Sequence, residues 1–266
     1  MTARGVPSLF EEVAAGEPTG TVRLRGVRVQ FGEILALDGI EFTIPARARV
    51  GVVGPSGCGK STLLSVIAGL LEPAGGEVAV GGATASRARL ARCTLMPQKD
   101  LLLPWRTALD NACLALENRG LSREKARQRA RPLFGRFGLS GFESKRPAQL
   151  SGGMRQRVAF LRTLMAEKDV LLLDEPFGAL DSITRSQMQE WLASALEQEP
   201  RTVLFVTHDV EEALLLCKRV FVMSPRPGRV VREIEVSFPR LPTRRETVTS
   251  PQFSALKEQA LEALEC

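Results

Sequence analysis

Residues 54–61 read Gly54-Pro55-Ser56-Gly57-Cys58-Gly59-Lys60-Ser61. This stretch matches the phosphate-binding loop pattern G-x-x-x-x-G-K-[ST], and its flanks have the context that the pattern requires. The apolar, β-branched run Val50–Val53 before it predicts a buried strand, and residues 62–69 after it carry apolar side chains at helical spacing. A strand, a glycine-rich loop and a helix in this order predict an α/β fold built around a nucleotide's phosphates.

The chemistry of this loop follows from its residue types. Glycines let backbone N–H groups turn toward phosphate oxygens, and the helix that begins beside them presents its positive end to the same anion. We expect Lys60 to reach the β- and γ-phosphates and the Ser61 hydroxyl to bind Mg²⁺. The remaining residues expected to line the nucleotide are Gly54, Pro55, Ser56, Gly57, Cys58, Gly59 and Thr62. A chance Lys-Ser pair in a glycine-rich turn is the alternative, and it leaves the flanks unexplained.

The composition excludes several classes of protein. The chain has 266 residues, 44% of them apolar and 25% charged, which is typical of a globular α/β protein. No apolar run approaches the roughly 18 residues of a membrane helix, and residues 1–18 lack the apolar region of a secretory signal, so we expect a cytosolic protein. None of the five cysteines forms a C-x-x-C pair, which argues against zinc.

The net charge of +6 is compatible with nucleic acid, with an anionic lipid surface or with an arginine-rich composition. Tyrosine is absent and there are two tryptophans, so the sequence lacks the aromatic residues on which bases stack. We therefore expect no nucleic-acid partner.

Periodicity divides the chain into a β layer, a parallel sheet and a helical insertion. Alternating runs in residues 21–44 predict an antiparallel β layer beside the nucleotide. Later apolar runs separated by helical segments predict parallel strands; these runs are Val170–Leu173, Thr202–Val206 and Val220–Met223. We interpret residues 1–20 as a loose tail, 21–223 as the main domain with a helical lobe at about 98–165, and 224–266 as a C-terminal tail. That tail contains a short β segment, proline punctuation and a last helix from Ser254 to Glu265.

Acidic residues follow one of the predicted parallel strands. Asp174 and Glu175 come directly after Val170–Leu173, at the strand edge where α/β sheets bind ligands. We expect Asp174 to hold a water of Mg²⁺ and Glu175 to orient the water that attacks the γ-phosphate. The sole histidine, His208, follows another strand and could contact the γ-phosphate, although a structural histidine is the alternative.

A second anion-binding helix start is predicted at Ser151-Gly152-Gly153-Met154. Ser151 is a good N-cap, and the two glycines expose the backbone beside it. One phosphate at one helix end gains only about 0.3–1 kcal/mol, so a useful site needs further contacts. Because the chain already has one phosphate loop, this segment indicates the nucleotide of another subunit; an ordinary capped helix is the alternative.

Three further features admit more than one interpretation. Phe31 could stack on a purine or could be a core side chain. The segment Leu101–Trp105 is a docking surface if exposed and a loop plug if buried. The basic residues of one predicted helix favour a solvated face; they are Arg123, Lys125, Arg127, Arg129 and Arg131.

Together these stretches resemble the ATP-binding subunit of an ABC transporter, over nearly the whole chain from about Thr21 on. Gly54–Ser61 matches Walker A, Val170–Glu175 matches Walker B with its catalytic glutamate, and Ser151-Gly152-Gly153 matches the signature motif. The remaining matches are Gln98 to the Q-loop, Ala179-Leu180-Asp181 to the D-loop, His208 to the switch histidine and Phe31 to the A-loop aromatic that stacks on adenine.

The resemblance implies a P-loop NTPase (RecA-like) parallel-sheet core with an antiparallel β subdomain and an inserted α-helical subdomain. It implies MgATP hydrolysis in a head-to-tail dimer, with Ser61, Gln98 and Asp174 near Mg²⁺ and with Ser151–Met154 acting on the partner subunit's ATP. It also implies two membrane permease subunits, met near Gln98–Trp105, an indirect solute-binding protein, and a peripheral location on the cytoplasmic face of the inner membrane.

Met154 stands where the commonest signature has glutamine. This substitution, together with Leu102-Leu103-Pro104-Trp105 and the segment Met223–Arg229, resembles the nitrate/sulfonate/taurine importer branch. A soluble ABC-type ATPase acting on nucleic acid or ribosomes is the alternative, but such proteins usually carry paired cassettes or long coiled-coil or zinc insertions. A P-loop kinase would not need Ser151-Gly152-Gly153.

Overall fold

The computed structural model describes residues 18–178, 180–197, 201–238 and 243–265. Most of the predicted N-terminal tail, residues 1–17, lies outside the described residues, as do Ala179 of the predicted D-loop and residues 239–242 of the C-terminal segment. The domain boundaries drawn from the sequence stay predictions.

Strands and helices alternate along most of the chain. In order they are β1 (Val22–Phe31), β2 (Ile34–Ile44), β3 (Arg49–Val53), α1 (Lys60–Ala68), β4 (Gly75–Val80), α2 (Ser86–Arg92), β5 (Cys93–Met96), α3 (Ala108–Asn118), α4 (Arg123–Arg136), α5 (Gly152–Leu164), β6 (Val170–Asp174), α6 (Ser182–Glu197), β7 (Thr202–Thr207), α7 (Val210–Leu216), β8 (Arg219–Met223), β9 (Val230–Glu235), α8 (Arg244–Val248) and α9 (Pro251–Glu265). Of the helices that the structure describes, none is both long and apolar enough to cross a bilayer.

The strands form two sheets of different kinds. The three-stranded sheet, in the order β2-β1-β4, is antiparallel, because β1 pairs antiparallel with both neighbours. The six-stranded sheet has the order β5-β6-β7-β3-β8-β9, with β5 to β8 parallel and β9 antiparallel at the edge. The predicted fold class, an α/β protein with a parallel-sheet core and an antiparallel β layer, is confirmed.

The parallel sheet is buried on both faces, as its uniformly apolar strands predict. Leu171 and Leu173 of β6 point into a core shared with α3, α5 and α7, whereas Leu172 points into a second core shared with α1 and the antiparallel sheet. Because successive side chains of a strand point to opposite faces, the same sheet contributes to both cores. The register sets Asp174 opposite Val206 and Val53 opposite Thr207, so the carboxyl ends of β3, β6 and β7 lie at one edge.

A buried carboxylate joins the first two helices of the insertion. Asp110 of α3 is 2% exposed and lies 2.6 Å from Arg123 and 2.8 Å from Arg127, both on α4. Arg123 and Arg127 remain 59% and 40% exposed, so the predicted solvated face holds for them, although each also forms an ion pair with α3 that the sequence did not predict. Burial alone raises the pKa of Asp110, but hydrogen bonds from Arg127, Arg123 and Thr107 outweigh it and hold the pKa well below its usual range.

We expect Asp110→Ala to lower the free energy of unfolding by about 2 kcal/mol, since it removes several charge-assisted hydrogen bonds. The pKa of Asp110 is lower in the folded chain than the roughly 3.9 of an unfolded aspartate. The stabilisation from Asp110 is therefore present above pH ~4 and is lost as the pH falls through the pKa of Asp110 in the folded chain. Urea unfolding at neutral and acid pH measures it, with the exposed Lys125→Ala as control; equal midpoints for both variants would contradict the prediction.

Candidate active site

The phosphate loop connects β3 to α1, and two glycines give it its shape. Gly57 and Gly59 have φ values of 78° and 104°, a region that favours glycine. A Cβ on Gly59 would lie 2.6 Å from Leu37 Cδ2, so the loop also packs closely against β2. The loop thus has the backbone shape needed to aim N–H groups inward.

Lys60 is buried inside the curl of this loop. Its Nζ donates to the carbonyl oxygens of Gly54, at 2.8 Å, and Pro55, at 2.9 Å. Cys58 Sγ lies 3.9 Å from the same nitrogen, and burial raises the pKa of this thiol, so it stays protonated beside the lysine. The ammonium group is therefore held at the loop by neutral carbonyl groups.

Three of the predicted site residues meet at the carboxylate of Glu175. Gln98 Nε2 donates to Glu175 Oε2 at 3.0 Å, and His208 Nδ1 lies 3.2 Å from the same oxygen. Lys60 Nζ is 3.8 Å from Glu175 Oε1. Glu175 has a φ of 41°, unusual for a non-glycine residue, and its N–H donates to Val206 O at 2.8 Å. The turn after β6 is thus attached to β7 while it aims the carboxylate at the loop.

The residues predicted for Mg²⁺ include suitable oxygen donors. Burial raises the pKa of the Asp174 carboxyl, and a hydrogen bond with the Ser61 side chain partly offsets this. Gln98 uses its amide nitrogen on Glu175, which leaves its carbonyl oxygen for another partner. A carboxylate, a hydroxyl and an amide oxygen are the hard ligands that Mg²⁺ prefers, so these residues fit the ion.

A cavity of about 280 Å³ lies beside the loop. Phe31, which is 49% exposed, lines it, and that exposure argues against the core alternative for this aromatic. Arg226 lines the same cavity, although sequence reasoning did not include it among the site residues. The other lining residues are Ile34, Ala36, Gly57, Gly59, Lys60, Ser61 and Thr62.

Arg226 reaches the cavity because the segment after β8 is attached to β2. Asp38 N donates to Gly228 O at 3.0 Å, and Gly228 N donates to Ala36 O at 2.9 Å. Arg229 Nε donates to Asp38 Oδ2 at 3.0 Å. Arg226, by contrast, makes no hydrogen bond or ion pair within the described part of the chain. The only signal in the sequence was the segment Met223–Arg229, which indicated a family branch and not a site.

The signature segment (Ser151–Met154) begins α5, as predicted. Ser151 Oγ accepts a hydrogen bond from Met154 N at 3.2 Å, and Ser151 is exposed. Asp181 Oδ1 caps α6 by accepting from Thr184 N at 3.0 Å. Across residues 18–178, 180–197, 201–238 and 243–265, no hydrogen bond or ion pair joins the signature segment or Asp181 to the phosphate loop.

The segment Leu101–Trp105 is largely exposed. Leu101 and Trp105 are 60% and 69% exposed, whereas Leu102 is buried, so the docking-surface alternative is favoured. Two arginines of α5 hold the base of this segment. Arg162 donates to Leu101 O at 2.8 Å and to Asp100 O at 2.7 Å, and Arg155 Nε lies 3.0 Å from Asp100 Oδ2.

Comparison with known proteins gives matches over most of the chain. A family model described as ABC transporter matches residues 37–178. The taurine import ATP-binding protein TauB of Rhizobium johnstonii is 46% identical over 228 residues, 84% of this chain and 87% of the relative. The aliphatic sulfonates import ATP-binding protein SsuB 1 of Rhodococcus jostii is 44% identical over 241 residues, 91% and 92% of the two chains.

Solved structures give a similar result. The dimeric structure of the ATP-binding cassette MJ0796 in a post-hydrolysis state, bound to ADP and Pi, superposes with a TM-score of 0.71 at 32% identity. The match covers 82% of this chain and all of that cassette, and the same values hold for a second dimeric structure of that cassette.

Proposed function

The chain belongs to the ABC transporter family, and we propose that it hydrolyses MgATP in a head-to-tail dimer to drive uptake of a small sulfonate-like solute. ATP hydrolysis that drives import is supported by its similarity to import ATP-binding proteins and to a cassette bound to ADP and Pi. The meeting of Gln98, His208 and Lys60 at Glu175 is the observation that carries the mechanism. The residue roles below rest on it.

The adenine and the phosphates of ATP are bound by different residues. Phe31 stacks on adenine at the cavity, and the backbone N–H groups of residues 56–62 receive the phosphates. Lys60 turns from the carbonyl groups of Gly54 and Pro55 toward the β- and γ-phosphates. Ser61, Asp174 and Gln98 would hold Mg²⁺, which would neutralise charge on the phosphates.

Hydrolysis depends on a carboxylate that orients water. Glu175 orients the attacking water through its carboxylate oxygens. His208 contacts the γ-phosphate from the same edge of the sheet. Gln98 and His208 already lie within hydrogen-bond distance of Glu175, so their side chains are positioned to exchange that contact for the substrate.

Dimerisation completes each site. Ser151 is exposed, and within the described residues the signature segment has no hydrogen bond or ion pair to the phosphate loop, which supports its action on the ATP of a second copy. Asp181 caps α6, which packs on the signature segment at Gly153, so we place Asp181 at the same interface. The dimeric assembly of the similar cassette supports this arrangement.

The partners follow from the importer relatives. We assign two membrane permease subunits, which contact the exposed segment Leu101–Trp105, and a solute-binding protein that acts indirectly. The chain is peripheral on the cytoplasmic face of the inner membrane, where its positive charge faces anionic lipid. Taurine and aliphatic sulfonates are the relatives' named solutes, so they define the solute class to be tested first.

The test is transport in vesicles that contain this chain together with its membrane subunits. We expect ATP-dependent uptake of labelled taurine or another alkanesulfonate, with nitrate and an amino acid of similar size as comparison solutes. ATP turnover that rises with nucleic acid or ribosomes, and not with the membrane subunits, would favour the soluble-ATPase alternative and contradict the importer.

Arg226 gives a separate prediction about nucleotide affinity. We expect Arg226→Ala to weaken ATP binding about threefold to tenfold, because an exposed cation at the cavity contributes less than a buried one. Turnover at saturating ATP should stay close to wild type. Titration with ATP measures the effect, and Arg232→Ala on the neighbouring strand β9 is the matched control. Equal affinity in both variants would remove Arg226 from the site.

A further inference from the structure

A cluster of buried polar side chains lies directly beneath His208. It consists of Thr207 at the end of β7, Glu212 in α7 and Gln189 in α6, which are 1%, 4% and 3% exposed. We call it the Glu212 cluster. None of these residues belongs to the nucleotide site described above, and the motifs of the sequence do not include Glu212 or Gln189.

The cluster fixes the backbone on both sides of His208. Thr207 Oγ1 donates to Glu212 Oε2 at 2.6 Å, and Asp209 N donates to Thr207 Oγ1 at 3.1 Å. Asp209 Oδ1 in turn accepts from the N–H groups of Glu211, at 2.8 Å, and Glu212, at 3.3 Å. The residues before and after His208 are therefore both held, while its imidazole stays exposed and faces Glu175.

The second carboxylate oxygen of Glu212 connects this loop to α6. Gln189 Nε2 donates to Glu212 Oε1 at 3.0 Å. Near its start the same helix packs on the signature helix α5, where a Cβ on Gly153 would lie 3.0 Å from Thr184 Cγ2. Helix α6 thus touches the signature half-site near its beginning and the His208 loop through Gln189.

Stability alone does not explain a carboxyl group at this position. Within the described residues Glu212 makes no ion pair, and burial raises the pKa of its carboxyl despite the hydrogen bond from Thr207. Gln189 Oε1 is also buried without a hydrogen-bond partner. Replacing buried polar groups by well-packed apolar ones is often neutral or stabilising, so these groups indicate a positional requirement.

We propose that Glu212 is a positioning residue for His208, and that Gln189 ties the His208 loop to the helix that packs on the signature segment. The proposal rests on the function proposed above. Through this link, the half-site that serves the partner subunit's ATP shares a rigid support with the histidine that serves the chain's own ATP. Glu212 acts only through His208 and does not touch the nucleotide.

A pair of variants at Glu212 separates hydrogen bonding from charge. In Glu212→Gln the new amide can accept from Thr207 and donate to Gln189 Oε1 once the Gln189 amide turns over, so we expect kcat within about threefold of wild type. Glu212→Leu leaves the donors of Thr207 and Gln189 unpaired, and we expect kcat to fall about tenfold with the KM for ATP within about twofold.

A double-mutant cycle with His208→Ala tests the route of the effect. If Glu212 acts through His208, Glu212→Leu should lower single-turnover hydrolysis in the wild-type background and leave it unchanged in the His208→Ala background. Thr207→Val and Thr207→Ser repeat the comparison without altering Glu212, in case the leucine variant fails to fold. Glu211→Gln, on the adjacent position with partners in α8 and α9, is the control and should behave as wild type.

The outcomes are distinguishable from those of the proposed function. Wild-type protein that fails to hydrolyse ATP would contradict the function itself. Active wild-type protein with a full tenfold loss in both backgrounds would overturn the positioning role and leave a merely structural one. Wild-type kcat in both Glu212→Leu and Thr207→Val would overturn the inference as well.

Discussion

Replacing Glu175 by glutamine is expected to lower ATP turnover about a hundredfold or more while ATP still binds with wild-type affinity. Glutamine keeps the shape of the side chain but cannot orient the attacking water as a carboxylate does. Its neighbours Gln98 and His208 stay in place, so the nucleotide contacts are retained. In the proposed cycle hydrolysis reopens the dimer, so the variant should accumulate as an ATP-bound dimer in size-exclusion chromatography with MgATP.

Glu167→Gln is the matched control for this variant. Glu167 is also a glutamate with cationic neighbours, Arg119 and Arg129, but it is exposed and lies outside the site. We expect its turnover and its elution with MgATP to equal those of the wild type. Near-normal hydrolysis by Glu175→Gln would show that another group orients the water.

Lys60→Ala is expected to abolish turnover and to weaken ATP binding about a hundredfold or more, since several charge-assisted contacts are lost together. The Lys60 side chain is buried. Among the residues that line the cavity, the only other cation is Arg226, which is exposed. The carbonyl groups of Gly54 and Pro55 would also lose their donor and face the phosphates directly.

Calorimetric titration with ATP and a phosphate-release assay measure this effect, and circular dichroism checks the fold. Lys168→Ala, at a partly buried lysine outside the site that donates to Ala91 O, serves as the control. Unchanged ATPase activity in Lys60→Ala would refute the assignment of residues 54–61 as the phosphate loop.

Local patterns were enough to predict the framework of the fold. The apolar runs at Val50–Val53 and Val170–Leu173 became β3 and β6, because a strand buried on both faces requires apolar residues at every position. Ser151 is the N-cap of α5, as its residue type predicts. Motif order also predicted that Gln98, Glu175 and His208 serve one site, and the structure brings their side chains together at Glu175.

Contacts between distant residues could not be predicted in this way. The ion pairs of Asp110 with Arg123 and Arg127 could not be predicted, because the sequence of a basic helix does not show which of its charges pair with a carboxylate on another helix. Glu212 and Gln189 sit at ordinary helical positions and are paired only by the packing of α6 on α7. Arg226 reaches the cavity through the pairing of Gly228 with residues of β2, far earlier in the chain.

The attachment of the exposed Trp105 surface to α5 has a mechanical consequence. Arg155 and Arg162, about two turns apart on one helix, bind Asp100 and the Leu101 carbonyl, so two separate contacts fasten the surface to the helix. A force applied at Trp105 would therefore tilt α5 as a whole and move Ser151 at its N-terminus. In the function proposed above, a membrane subunit bound at Trp105 would thereby set the angle at which each copy presents its serine to the opposite nucleotide, without approaching the phosphates.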